Sequence, residues 1–149
     1  MATWAEFATQ MPEMAEAGWH LFSHPGFGFG YLATVRRDGA PRLRPINPLL
    51  AAGRLVAFIV PSPKLGDLRR DGRYALHSTG AENVDDEFCV TGRAAPVDSP
   101  ALRQAALAAC HFTPGDDHAL VDFSVDSALW AHYSTPPSWP PVYTRWAAG

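Results

Sequence analysis

Apolar residues near the N-terminus recur at helical spacing, and further along the chain the pattern changes to that of strands. Thr3 and Glu6 fit a capping box, in which two side chains satisfy free amides at a helix start. Pro12 then restarts or kinks the helix, because proline lacks the amide that an interior position needs. We therefore expect a helical segment over 3–22. Its aromatic and methionine side chains are expected to be core contacts: Trp4, Phe7, Met11, Met14 and Phe22.

From Gly28 onward the apolar positions alternate with the period of two that is typical of strands. A turn signal at 37–40 then predicts a hairpin, with the returning strand over 42–50. Pro45 and Pro48 restrict that strand to a sheet edge or a bulge. The alternating positions before the turn are Phe29, Tyr31, Ala33 and Val35.

A continuous apolar run at 55–60 predicts a strand buried on both faces. Ser62 fits the N-cap of a following helix and Pro63 its first position, so we expect this helix to reach Arg70. Further patterns predict strands over 74–78, 87–97 and 121–125, a helix over 100–111 and a short strand over 142–146.

Short, mostly antiparallel strands with turn signals every 8–12 residues favour a small barrel, which closes the sheet and removes its edges. A length of 149 residues is most simply one domain. The sequence therefore predicts a mainly β fold with added helices, a single domain over 1–149 with the barrel over about 28–146.

Composition narrows the class of protein. The chain is 47% hydrophobic and 18% charged, as in folded proteins, and its net charge of −3 argues against a nucleic-acid partner. No apolar run reaches the roughly 20 residues that span a bilayer, and the N-terminus lacks the basic residues of a signal peptide. Cys89 and Cys110 form no CxxC pair. We expect a cytoplasmic protein with reduced thiols and no membrane contact.

Lys64 is the only lysine among twelve basic residues, and it lies at a predicted helix start. A helix N-terminus exposes unpaired amides and the positive end of the macrodipole, so it binds phosphate readily. The Ser62 hydroxyl is a further donor, and Arg42 or Arg44 on the preceding hairpin offers a guanidinium to the same anion. The pattern predicts a phosphate cradle, and its alternative is an ordinary capped helix with solvated charges.

Other candidate chemistry is weaker. The six histidines show no HxxxH or HExxH spacing, so we expect no metal site. His77 lies in a predicted strand, where it faces a ligand or fills the core. Ser78 and Ser124 have no nucleophile elbow around them, so a hydrolase triad is not supported. No residue is assigned as catalytic.

The order of these parts resembles the pyridoxamine 5′-phosphate oxidase-like family of flavin-binding split β-barrels. The resemblance runs from about Tyr31 to Asp98, through YLATVRRDGAPRLRPINPLLAAGRLVAFIVPSPKLGDLRRDGRYALHS and DDEFCVTGRAAPVD. The shared pieces are a first strand ending in DG, R-P-x-x on the second, S-x-K opening a helix, R-x-A-L and a G-R-A strand. The resemblance implies a six-stranded antiparallel split β-barrel, forming a two-fold homodimer with flavin mononucleotide (FMN) at the subunit interface.

The resemblance also implies roles for individual residues. Arg44 matches the family's phosphate-binding arginine, and Ser62 and Lys64 match its S-x-K phosphate site, with Pro63 replacing a frequent arginine. The positions expected beside the isoalloxazine ring are Pro45, Ile46, Asn47, Ile59 and Val60.

Glu87 matches a position that often holds glutamine, which reaches the flavin from the partner subunit. A carboxylate near an electron-rich reduced ring is unfavourable unless it is protonated or paired. The family often has a hydroxyl residue where Val60 stands.

The C-terminal PVYTRWAAG lacks the basic substrate motif of true pyridoxamine phosphate oxidases. The resemblance therefore implies an FMN-dependent oxidoreductase acting on another, unidentified small molecule. The alternatives are a deazaflavin-dependent reductase, or a non-catalytic flavin-binding, haem-binding or interaction protein of the same fold. Trp139 and Trp146 either cover a ligand or pack on the barrel.

Overall fold

A computed structural model describes residues 1–23, 26–80, 84–134 and 137–149. Within them the chain forms four helices and nine strands. The helices are α1 (Trp4–Gln10), α2 (Pro12–Ser23), α3 (Pro63–Arg70) and α4 (Pro100–Ala109). The strands are β1 (Gly30–Val35), β2 (Pro41–Ile46), β3 (Leu49–Ala51), β4 (Arg54–Ile59), β5 (Arg73–His77), β6 (Glu87–Pro96), β7 (Ala119–Phe123), β8 (Ser127–His132) and β9 (Val142–Ala147).

The N-terminal helices follow the predicted pattern. Thr3 Oγ1 accepts a hydrogen bond from the Glu6 amide at 3.2 Å, and Glu6 Oε2 accepts one from the Thr3 amide at 2.6 Å, which confirms the capping box. Pro12 starts α2, and Gly18 brings that helix against β6, since a Cβ there would lie 2.4 Å from the Phe88 ring. The two helices thereby bury an aromatic cluster against the sheet.

The strands form one antiparallel sheet that curls on itself. Its order is β2-β1-β5-β6-β7-β4-β3, and β8 pairs with β6 and β9. The ten-residue β6 joins the two halves, because its first part pairs with β5 and β8 and its last three residues pair with β7. Where the pairing changes, Gly92 allows close approach, since a Cβ would lie 2.2 Å from the Ser124 carbonyl oxygen. The predicted split β-barrel is confirmed.

The barrel stays open along one seam. Among the described strands, β2 pairs only with β1, and residues 57–59 of β4 pair only with β7, because β3 covers just the first half of β4. The seam therefore runs between β2 and the end of β4, and α3 begins beside it.

Two strand predictions differ from the structure. The returning strand predicted over 42–50 is interrupted at Asn47 and Pro48, where the chain leaves β1 and joins β4 as β3. Asn47 Nδ2 donates to the Gly28 carbonyl at 2.8 Å, which fixes this switch. The late strand predicted over 121–125 ends at Phe123, and a separate strand, β8, follows. With these two differences, the seven strands that the sequence pattern predicts become nine segments.

The continuous apolar run of β4 is buried on both faces, as predicted. Leu55, Ala57 and Ile59 face the main core inside the barrel. Val56 and Phe58 face a second core under α4. β4 is therefore the strand that both cores share.

The alternating apolar set of β1 lies on the outer face of the sheet, whereas Leu32 and Thr34 face inward and are buried. Tyr31 pairs with Pro45 and His77 on this outer face. Leu43 on β2 is 64% exposed there. The sheet thus presents apolar side chains outward that nothing in the described chain covers.

None of the helices within the described ranges is long and apolar enough to cross a membrane.

Candidate functional site

The first turn of α3 lies at the seam and carries the predicted S-x-K residues. Ser62 is the N-cap, and its side-chain oxygen accepts a hydrogen bond from the Leu65 amide at 3.4 Å. The Gly66 amide bonds to the Ser62 carbonyl at 3.1 Å, and Pro63 has no amide hydrogen. The Lys64 amide is thus left without an acceptor in the described residues, as at an anion-binding helix start.

Arg44 lies near enough to Lys64 at this seam for its charge to act on the ammonium. Arg44 is directly opposite Leu32 in the register, so its side chain leaves β2 on the face that α3 covers. Burial lowers the pKa of Lys64, and the positive charge of Arg44 lowers it further. No carboxylate in the described part of the chain pairs with either residue. Two neighbouring cations without an anion are the chemistry of a phosphate site.

Arg42 has a different role, although the sequence left it open beside Arg44. Its Nε donates to Asp67 Oδ2 at 2.7 Å. Thr34 donates to the same oxygen at 2.7 Å, and Arg70 Nη2 donates to Asp67 Oδ1 at 3.3 Å. Burial would raise the pKa of Asp67, but these hydrogen bonds together hold it below its ordinary value. Arg42 thus anchors α3 to β2 through Asp67, whereas Arg44 has no carboxylate partner among the described residues.

The Ser62 hydroxyl is already engaged. It donates to the Val60 carbonyl at 2.7 Å while its oxygen caps α3. It is a donor to a ligand only after rotating away from Val60.

The residues expected beside an isoalloxazine ring divide into two groups. Ile46 and Ile59 are buried in the main core, so their side chains do not reach a surface ligand. Pro45 is exposed on the outer face, and Val60 is 41% exposed at the end of β4. The amide group of Asn47 is bonded to Gly28. Apolar surface for a ring therefore comes from Val60, whereas Pro45 lies on the opposite face of β2 from Arg44.

Glu87 lies apart from Arg44 and Lys64 within one chain. It begins β6, which is three strands from β2 and so roughly 14 Å across the sheet. Its Oε1 lies 3.6 Å from His77 Nε2 on the outer face. A contact between Glu87 and a cofactor bound at Lys64 stays a prediction, and it requires a second subunit.

His77 is not a core residue. Its Nδ1 lies 2.5 Å from the Ser78 carbonyl oxygen, which only accepts, so Nδ1 carries a hydrogen. Nε2 then faces Glu87 at one side of a cleft of about 530 Å³, whose wall includes Tyr133 and Trp139. The sequence analysis did not predict the His77–Glu87 pair. The register of β5 and β6 would have indicated it, because Glu87 lies on the same face as Cys89, the residue opposite His77.

The two tryptophans left open by the sequence differ in surroundings. Trp146 packs on Phe7, with ring centroids 5.0 Å apart, and its Nε1 donates to Gln10 at 3.0 Å. Trp139 is 77% exposed at the cleft beside His77. Trp146 is thus a packing residue, and Trp139 is free to contact a ligand.

No group of three or more metal-ligating side chains occurs among the residues that the structure describes. Cys89 and Cys110 are separate free thiols.

No protein-family model matches the sequence, and no curated protein matches it significantly. Solved structures match the fold. A NimC/NimA family protein from Clostridium acetobutylicum has a TM-score of 0.64 and 19% identity, over 89% of this chain and 93% of that one. A general stress protein 26-related protein of the pyridoxinephosphate oxidase family, from the same organism, has a TM-score of 0.59 and 12% identity, over 94% of both chains.

A haem-binding protein from Mycobacterium smegmatis is similar over 86% of this chain, with a TM-score of 0.63 and 18% identity. The present chain spans only 57% of the length of that protein. Together these neighbours show that the chain has the split β-barrel fold of the pyridoxamine 5′-phosphate oxidase-like proteins. Function does not follow from fold alone, because one fold carries many chemistries.

Proposed function

We propose that the chain binds FMN and acts as a flavin-dependent oxidoreductase on a small molecule. The observation that supports this most is the pair Arg44 and Lys64 at the barrel seam, two cations that have no carboxylate partner among the described residues. The Lys64 amide beside them has no acceptor in the same part of the chain. A phosphate monoester, with its charge near −2 at pH 7, complements this arrangement.

The residues at the seam fit this cofactor. Arg44 and Lys64 would hold the phosphate, and Val60 would offer apolar surface to the ring, whereas Pro45 lies on the opposite face of β2 from Arg44. When bound, the flavin supplies transfer of hydride or electrons. The chain binds and orients it, and no side chain is assigned as a proton donor or acceptor.

The substrate is not pyridoxamine phosphate in this proposal. β9 carries one basic residue, Arg145, and its guanidinium lies over the Tyr143 ring at 5.3 Å. A phosphorylated substrate at this end would lack the basic cluster that such a ligand needs.

A two-fold homodimer is part of the proposal. The outer face of the sheet leaves Tyr31 and Leu43 uncovered, and an identical copy is the commonest partner for such a face. A second subunit would also supply Glu87 to the cofactor. The separate free thiols support a reducing compartment such as the cytoplasm.

The visible spectrum of the purified protein tests the proposal. We expect a yellow flavin spectrum, or its appearance on adding FMN, with weaker binding of riboflavin because it lacks the phosphate. Reduction by a nicotinamide donor would then separate an enzyme from a binding protein. Failure of FMN to bind would contradict the proposal, and binding of the deazaflavin coenzyme in its place would support the deazaflavin-dependent alternative.

Haem binding is the second candidate, because one structural neighbour is a haem-binding protein. An intense haem band on titration with haem, without flavin uptake, would replace the first proposal with the second.

A further inference from the structure

A second cationic site lies next to the first. A groove of about 530 Å³ runs between the turn joining β1 to β2 and one face of α3. Its lining contains four arginines and two aspartates: Arg36, Arg37, Arg42, Arg70, Asp38 and Asp67. Arg44 and Lys64 do not line it, so the groove is separate from the proposed phosphate site.

The two aspartates do not satisfy the four arginines. Asp67 is buried and engaged by Arg42 and Arg70. Asp38 Oδ1 accepts from the Ala40 amide and holds the turn. Neither Arg36 nor Arg37 has a carboxylate partner in the described chain.

Arg42 and Arg70 also keep free donors toward the groove. Arg42 uses its Nε for Asp67, and Arg70 uses Nη2 for Asp67 and the Val35 carbonyl. A guanidinium has five N–H donors, so both retain unused ones. The buried carboxylate thereby holds two guanidinium groups in place beside the two free arginines.

Positive charge is concentrated in the stretch of sequence that forms the groove and its surroundings. Residues 36–70 contain eight of the twelve basic residues and two of the fifteen acidic ones, in a chain whose net charge is −3. Of these eight, Arg54 is paired with Asp122 on β7. A local field of sign opposite to the net charge draws anions to this side of the molecule.

We propose that the groove is a second anion-binding site, which takes a phosphate or carboxylate group of a small molecule. Arg36 and Arg37 are its main contacts, and Arg42 and Arg70 complete it. The proposal does not require FMN to bind at Arg44 and Lys64.

The position of the groove admits two sources for that anion. Arg42 and Arg44 are two residues apart on one face of β2, which corresponds to about 7 Å. FMN has a single phosphate, so the first source is the second phosphate of a dinucleotide flavin as the cofactor's distal charge, and the other is a separate anionic substrate or electron donor beside FMN.

Titration with inorganic diphosphate tests the site. The Lys64→Ala background weakens the first site, and Arg36→Gln and Arg37→Gln are introduced there singly. Arg69→Gln is the matched control, because Arg69 is an exposed arginine of α3 outside the groove. We expect each groove variant to weaken diphosphate binding about 10-fold, or about 1.4 kcal/mol, and Arg69→Gln to change it less than 2-fold.

If all three variants lost the same diphosphate affinity, the effect would come from the overall positive charge and not from the groove, which would overturn the proposal. Absence of diphosphate binding to the Lys64→Ala protein would overturn it as well. Thermal unfolding of each variant checks that these exposed substitutions leave the fold intact.

A comparison of FMN with flavin adenine dinucleotide (FAD), which carries a second phosphate, identifies the source. If the groove takes the cofactor's distal charge, Arg36→Gln and Arg37→Gln weaken FAD and leave FMN unchanged. If it takes a separate ligand, diphosphate binds to the FMN complex, and neither flavin is affected. Failure of FMN to bind, with diphosphate binding intact, would reject the proposed function and keep the anion site.

Discussion

At the scale of single residues, the candidate site is defined by two positive charges that have no carboxylate partner in the part of the chain that the structure describes. The ammonium of Lys64 is half-buried and lies near the guanidinium of Arg44, and both conditions disfavour its charged form. An anion between them would reverse the electrostatic effect. We therefore expect Lys64 to contribute to ligand binding and little to the stability of the free protein.

Replacing Lys64 by alanine tests that division. Loss of a charge-assisted contact worth roughly 1.5–3 kcal/mol should weaken FMN binding on the order of 10- to 100-fold. Lys64→Arg should recover only part of the loss, because its rigid fork needs different geometry. Riboflavin should bind the parent and Lys64→Ala almost equally, and the unfolding midpoint should hardly move. Equal FMN affinity in both proteins would show Lys64 to be an ordinary surface residue.

Asp67 differs from Lys64 because its charge is paired within the chain, with Arg42 and Arg70. Asp67→Asn should cost roughly 3–5 kcal/mol of unfolding free energy at pH 7, because it leaves Arg42 and Arg70 without their carboxylate. The folded pKa of Asp67 is lowered, so its stabilisation is present above the ordinary value of 3.8 and is lost as pH falls through the folded pKa.

Denaturant unfolding at pH 7 and below pH 4 measures both effects. The parent should lose stability at the lower pH, and Asp67→Asn should lack that component of the loss. Asp38→Asn, at an exposed turn, is the control and should change stability by less than about 1 kcal/mol. An unchanged unfolding free energy in Asp67→Asn would mean that α3 is held by other contacts.

At the scale of elements, the sequence predicts the features that depend on neighbouring residues. It does not predict those that depend on contacts between distant segments. α3 was predicted with its cap because Ser62 and Pro63 define a helix start by themselves. The break at Asn47 was missed because it depends on a change of strand partner, which no local pattern records. The outward orientation of Tyr31 was likewise undetermined, since an alternating pattern does not state which face the core will cover.

The candidate site shows the same limit. The residue pattern singled out Lys64 with Arg42 or Arg44, the resemblance chose Arg44, and in the structure the charge of Arg44 is near enough to lower the pKa of Lys64. The engagement of Arg42 with Asp67 and the groove beside Arg36 needed the relative placement of α3 and the hairpin. That placement is a tertiary contact between distant segments, which composition and spacing do not encode.

A comparison of two serine caps distinguishes a residue that only stabilises its helix from one that also binds a ligand. Ser62 and Ser99 each cap a helix that continues with proline, and each accepts from the amide of a leucine three residues on. Ser62→Ala and Ser99→Ala should each cost about 1 kcal/mol of stability. Only Ser62→Ala should also weaken FMN binding, as measured by titration. Equal FMN affinity in the two variants would remove Ser62 from the phosphate site.

At the scale of the whole molecule, the uncovered outer face should determine the oligomeric state. We expect light scattering to give twice the 16.2 kDa mass of the chain. Leu43→Glu should shift the mass toward the monomer, because a charge would be buried in the interface. Leu107→Glu is the control on α4, where Leu107 is 45% exposed, and it should leave the dimer intact. A parent mass of 16.2 kDa would contradict the dimer.

The shared strand β4 also has a consequence for synthesis. Ile59 pairs with Ala119 and Leu55 with Phe123, so the partner strand is made 60 to 68 residues later. At the usual elongation rate of roughly 5–20 residues per second, a strand that is apolar on both faces waits about 3–14 s for β7. Ribosome-stalled chains ending before β7 should therefore bind a hydrophobic dye, and chains stalled well beyond it should not. The strand that unites the two cores of the finished molecule is also its chief aggregation hazard while the chain is being made.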